Sequence, residues 1–172
     1  MQNRKVTRLD RTIYIGCGSF FVTICCAARR TLFASPDIAE WIISHLHSTA
    51  GAYRYRLHAW CVMPDHVHVL AEGTDTACNF LLFIRQFKLR ASREWPAQSD
   101  GQLWQKGFYD HVVRTNDELS RIAAYIWMNP VRKGLCDDPR TFPFSGSQTF
   151  DWQQIAPPRA GWLPPWNRSQ PL

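Results

Sequence analysis

The stretch "YRYRLHAWCVMPDHVHVLAE", residues 53–72, reads as two strands joined at "PD". Residues 53–63 alternate as a strand does, Pro64–Asp65 supply the turn, and "HVHVLAE" (66–72) returns as the paired strand. His66 and His68 are two positions apart, so both side chains leave one face, roughly 6.5–7 Å apart at Cα. Val67 and Val69 leave the other face. The valines are expected to enter a helix-covered core, with the histidines on the open side. A lone histidine on a strand is a core or surface residue far more often than a ligand. Two in alternation with valine make a shared metal ion a reasonable expectation, which needs a third ligand from elsewhere. Arg54, Arg56 and His58 would be costly in the core, so they are expected on the open face too.

Outward from this hairpin the chain is a succession of short elements. "SFFVTICCAA" (19–28) is β-branched and aromatic and predicts a buried strand. "SPDIAEWIISHLHSTA" (35–50) has Ser35 as cap, Pro36 at the first helical position and apolar residues at 38, 41, 42 and 46; Gly51 closes it. "TACNFLLFIRQFKLRASREW" (76–95) predicts a second helix, "GFYDHVVRT" (107–115) a further strand, and "NDELSRIAAYIWMN" (116–129) a third helix. The order β-α-β-β-α-β followed by a helix is the ferredoxin-like split βαβ pattern. The expected class is α+β: an antiparallel sheet with two helices on one face and an added C-terminal helix on the other. Residues 1–150 are expected to form one domain, and 151–172 an irregular Pro- and Trp-rich tail.

Charge and composition narrow the function. No apolar run is long enough to cross a membrane, and the N-terminus lacks a secretory h-region, so the cytoplasm is expected. The cysteines at 17, 25, 26, 61, 78 and 136 form no C-x-x-C pair, which leaves a zinc knuckle or dithiol redox motif unsupported. A net charge of +6 permits a nucleic-acid partner without requiring one. Arg85, Lys88, Arg90, Arg93, Lys106 and Arg114 interleave with Phe83, Phe87, Trp95, Trp104, Phe108 and Tyr109. Cations with rings suit single-stranded DNA, and equally a solvated helix over an aromatic core.

The third ligand is sought in "AAYIWMNPVRKGL" (123–135). Tyr125 and Asn129 are four apart, hence on one helical face, and Pro130 should end or kink that helix. If the helix packs on the open face of the sheet, His66, His68 and Asn129 can meet one cation, with Tyr125 alongside. Taken alone, Tyr125 reads first as a half-buried aromatic and "NP" as a stop signal.

In this order, "MPDHVHVL", "WQKGFYDHVVR" and "YIWMNPVRKGL" closely resemble the REP-associated tyrosine transposases, relatives of the single-tyrosine HUH transposases. "GSFFVTICCAARRTLF" and "FPFSGS" resemble the same family, so the likeness spans roughly residues 14–148. The resemblance implies a metal-dependent endonuclease and strand-transferase acting on single-stranded, hairpin-bearing DNA. It implies His66, His68 and Asn129 as ligands of Mg²⁺ or Mn²⁺, and Tyr125 as the nucleophile that forms a 5′-phosphotyrosine. Arg54, Arg56, Arg85, Lys88, Arg90, Arg93, Arg114, Arg132 and Lys133 are the expected DNA contacts, by charge and proximity to the motifs. The protein is expected to work as a monomer or homodimer. Two other readings stand beside this one: a DNA-binding protein on the same fold that does not cleave, and a metal-dependent hydrolase in which water attacks.

Overall fold

The computed structural model describes residues 11–95, 101–114, 116–152 and 154. Most of the expected tail, at 153 and 155–172, lies outside the described residues. The strands are β1 (Ser19–Cys25), β2 (Tyr55–Met63), β3 (His66–Gly73), β4 (Tyr109–Val113) and β5 (Ser145–Gly146). The helices are α1 (Pro36–Ala52), α2 (Phe80–Arg93), α3 (Asn116–Trp127) and the single turn α4 (Asn129–Arg132). The sheet runs β4-β1-β3-β2-β5 and every pairing is antiparallel. Its first four strands have the order expected of a split βαβ unit. β5 adds a short edge that the turn-like "FPFSGS" did not announce.

Two cores, one on each face of the sheet, follow from strand alternation. Phe20, Val22 and Ile24 of β1 and Val67 and Val69 of β3 pack with Ile42 and Leu46 of α1 and Phe83 and Phe87 of α2. On the other face Phe21, Cys61, Met63 and Leu70 pack against Ile122, Tyr125, Ile126 and Trp127 of α3. Each large side chain so buried contributes about 1.5–3 kcal/mol. Most of the rings interleaved with the basic residues belong to this packing: Phe83, Phe87, Trp95 and Trp104 are buried, whereas Tyr109 is exposed.

Local chemistry moves three boundaries. α1 continues through Gly51 to Ala52, and Arg54 makes the reversal into β2 in the left-handed region, at φ 59°. Asp75 pairs with Arg54 and also accepts from the Ala77 N–H, so the residues before α2 form a turn. α2 then starts after Asn79, whose side chain caps the Leu82 N–H at 3.0 Å.

The hairpin has the anticipated two-residue turn, with Met63 paired to His66 and Cys61 to His68. That register alone would send His58 and Arg56 to the opposite face from the histidines. A β-bulge between Leu57 and Ala59 restores them: Leu57 pairs with Ala71 and Arg56 with Glu72, on the histidine side. Arg54 lies before the strand, so the shared face holds Arg56 and His58 but not Arg54.

Candidate active site

His66 and His68 project from β3 beneath α3, and their Nε2 atoms face each other at 2.9 Å. Each ring is held from behind. His66 Nδ1 lies 2.5 Å from Asp65 Oδ1, and His68 Nδ1 lies 2.9 Å from Thr23 Oγ1. A carboxylate only accepts, so His66 carries its proton on Nδ1 and offers Nε2 as a lone pair. Burial lowers the His66 pKa against the opposing pull of Asp65. His68 falls well below the ordinary value through burial, then through the charges of His66, Arg132 and Arg29. Both imidazoles are therefore neutral at neutral pH, the form that binds cations. Burial alone would raise the Asp65 carboxyl, but its hydrogen bond and charge interaction with His66, with Arg29 beyond, hold it below the usual range.

Asn129 enters from the break between α3 and α4. Its Nδ2 donates to the Tyr125 carbonyl at 2.8 Å and to the Ile126 carbonyl at 3.2 Å. The Ile126 carbonyl would normally accept from the N–H of residue 130, which is proline and has none. The asparagine side chain fills that gap. Because carbonyls accept only, the amide nitrogen must face them and Asn129 Oδ1 is the end left to accept from elsewhere. Tyr125, one turn earlier, is buried, with its ring centroid 6.2 Å from that of His68. Phe21 meets the tyrosine edge-on at 6.2 Å and the Arg132 guanidinium lies 4.2 Å from its ring centroid.

His66, His68, Tyr125 and Asn129 line one cleft of about 730 Å³, with Asp65, Arg29, Lys133 and Tyr109 at its walls. The donor set suits a divalent cation. Two donors in neighbouring positions around a six-coordinate ion at about 2.1 Å stand roughly 3 Å apart, as these Nε2 atoms do. Among the described residues no group of three or more His, Cys, Asp or Glu forms a metal cluster. Asn129 Oδ1 is a neutral oxygen donor on the same cleft. Two imidazoles and one amide would leave positions on a six-coordinate ion open to substrate oxygens.

The basic residues divide by face. Arg132 and Lys133 belong to the cleft side. Arg56 sits 3.6 Å from Glu72, and Arg54 2.7 Å from Asp75. Arg85, Lys88, Arg90 and Arg93 lie on α2, across the sheet from the histidines. Lys88 is committed to the carbonyls of Gln105 and Gly107, both at 2.8 Å, and so staples the loop before β4. Arg90 lies over the Tyr53 ring, and Arg114 follows β4 on the surface. Sequence reading missed Thr23 and Arg29 and gave Asp65 only a place in the turn. Thr23 becomes visible only through the β1–β3 register, whereas the tight turn already places Asp65 beside His66.

The family described as "Transposase IS200 like" matches residues 19–129, well over half of the chain. A REP-associated tyrosine transposase of Escherichia coli is 27% identical over 154 residues, spanning 83% of this chain and 88% of that protein. A candidate REP-associated tyrosine transposase of Haemophilus influenzae is 25% identical over 139 residues, 74% of this chain and 78% of that one. A solved structure of a REP-associated tyrosine transposase bound to a REP hairpin shares the fold, with a TM-score of 0.69 at 23% identity over 81% of this chain and 82% of its own.

Proposed function

The chain belongs to the IS200-like transposases, and from that premise we propose that it cleaves and rejoins single-stranded DNA beside a hairpin, with Tyr125 as nucleophile. The carrying observation is that one chain brings Tyr125 into the same cleft as its own His66 and His68. A phenol is a weak nucleophile at neutral pH, because its ordinary pKa is about 10. It therefore works where charge on the phosphate is neutralised. Mg²⁺ or Mn²⁺ held by His66, His68 and Asn129 would polarise the scissile phosphate and offset charge developing on its oxygens.

Tyr125 Oη attacks phosphorus, the bond to the 3′ oxygen breaks, and the phenolic proton ends on that departing oxygen. The products are a 5′-phosphotyrosine and a free 3′-hydroxyl. Attack by another 3′-hydroxyl reverses the exchange, so rejoining needs no nucleotide cofactor. Phe21 and Arg132 fix the tyrosine ring, Asp65 and Thr23 fix the imidazoles, and Lys133 brings positive charge to the cleft wall. REP-type hairpins are the proposed substrates, as for the relatives named for them.

The test is incubation of the full chain with a hairpin oligonucleotide bearing single-stranded extensions, with Mg²⁺ or Mn²⁺, followed by a denaturing gel. A protein–DNA adduct that is lost in Tyr125→Phe is expected. Cleavage surviving that substitution would mean that water attacks, and binding without any cleavage would leave only a DNA-binding role.

A further inference from the structure

Two adjacent arginines follow β1, and the structure sends them to different tasks. Arg30 donates from Nη2 to the Gln102 carbonyl at 2.7 Å and so fastens the 101–105 loop. Arg29 turns the other way, into the rim of the catalytic cleft, and donates from Nη1 to Asp65 Oδ2 at 3.1 Å. The divergence is produced by an unusual backbone: Ala28 and Arg29 both adopt left-handed conformations, at φ 53° and 55°. Two consecutive non-glycine residues there are disfavoured, and such conformations persist where the surroundings impose them, commonly at functional sites. Here the surroundings are the Cys26 N–H on the Asp65 carbonyl, at 2.9 Å, and the Ala27 N–H on the Leu103 carbonyl, at 3.0 Å. They tie the N-terminal side of the loop to the hairpin turn and to the 101–105 segment.

The Arg29 side chain is 56% exposed. Among the described residues its polar contact is Asp65 through Nη1, so the rest of a planar five-donor fork is presented to the cleft. Asp65 holds the histidine with its other oxygen, which sets the guanidinium at a defined place relative to His66. Lys133 lines the same cleft.

We infer that Arg29 is a substrate-binding residue that grips a backbone phosphate of the single-stranded segment next to the scissile one, with Asp65 as its positioning partner. A planar fork binding two phosphate oxygens at once suits this task better than a point charge does. The inference rests on the DNA-cleaving reading above.

The test is fluorescence anisotropy with a fluorescein-labelled hairpin oligonucleotide carrying a single-stranded extension. It uses the full chain in a Tyr125→Phe background, so that cleavage does not intrude, over a KCl series. A blunt hairpin of the same stem serves as the comparison. Arg29→Gln is expected to weaken binding of the extended hairpin roughly tenfold. It should reduce the slope of log affinity against log salt by about 0.7, the value for one phosphate contact on a single strand. The blunt hairpin should lose little. Arg29→Lys should restore the salt slope and only part of the affinity. Mn²⁺ affinity, measured by calorimetry without DNA, should stay within about twofold in Arg29→Gln, since the charge is not a ligand.

Unchanged affinity and slope in Arg29→Gln overturn the inference. So does a fall in Mn²⁺ affinity with no change in slope, which would make Arg29 a support for Asp65 alone. If the parent chain binds the extended and blunt hairpins equally, the single-strand reading of the cleft fails first and the assignment of Arg29 falls with it.

Discussion

Asn129 shows how much one side chain can be asked to do. Its nitrogen satisfies two helix carbonyls, and the same geometry turns its oxygen outward as a neutral donor. Asn129→Asp separates the two tasks. A carboxylate cannot donate to the Tyr125 and Ile126 carbonyls, so the metal-free variant should be destabilised by about 1–3 kcal/mol, the usual penalty for buried carbonyls losing a donor. A carboxylate is also a stronger ligand for Mg²⁺ or Mn²⁺ than an amide. Thermal melts should show a lower Tm than the parent without metal and a larger upward shift on adding Mn²⁺. Equal Mn²⁺ shifts in the two proteins would mean that position 129 does not face the ion.

Elements explain why that side chain is where it is. α3 ends at Trp127 and α4 restarts at Asn129 because Pro130 removes one backbone donor, and the asparagine supplies the replacement. Pro130→Ala returns an N–H to position 130, which then competes with Asn129 Nδ2 for the Ile126 carbonyl. The fold should be retained or slightly stabilised, while Mn²⁺ affinity by calorimetry falls roughly 10-fold or more, as where an outer-shell partner is lost. An unchanged affinity would dissociate the helix break from the proposed metal site. The sequence shows this dipeptide and the four-residue spacing to Tyr125, because both are local. It shows the hairpin register too, since a two-residue turn and alternation with valine leave one pairing that buries Val67 and Val69. The bulge that turns Arg56 and His58 to the histidine face is invisible in the letters, because it is set by how β2 pairs over its whole length. Lys88 is the converse case. It reads as a surface cation on a basic helix, but a loop remote in sequence takes two of its three ammonium donors. Thr23 and Arg29 wait in the same way for the β1–β3 pairing and for the left-handed loop.

At the scale of the molecule, the sheet separates structure from chemistry. α1 and α2 cover one face with an aromatic and aliphatic core, while α3 covers the other and carries Tyr125 to the histidines. In this arrangement the proposed nucleophile, Tyr125, would be supplied in cis. α3 is not easily lent to a second chain, because Ile122, Ile126 and Trp127 are buried against β2 and β3, at about 1.5–3 kcal/mol each. The prediction is tested by mixing two inactive proteins. One is a His66→Ala, His68→Ala double variant that keeps Tyr125; the other is Tyr125→Phe, which keeps both histidines. If tyrosine and histidines must come from the same chain, the mixture forms no more hairpin-DNA adduct than either protein alone. Wild-type chain added at half the total concentration should give about half the wild-type adduct, as a control for competition by the inactive copies. Adduct appearing on the histidine-deficient chain would show that α3 reaches a partner's site. The contact of Tyr125 with its own His68 would then describe a resting chain rather than the one that cuts.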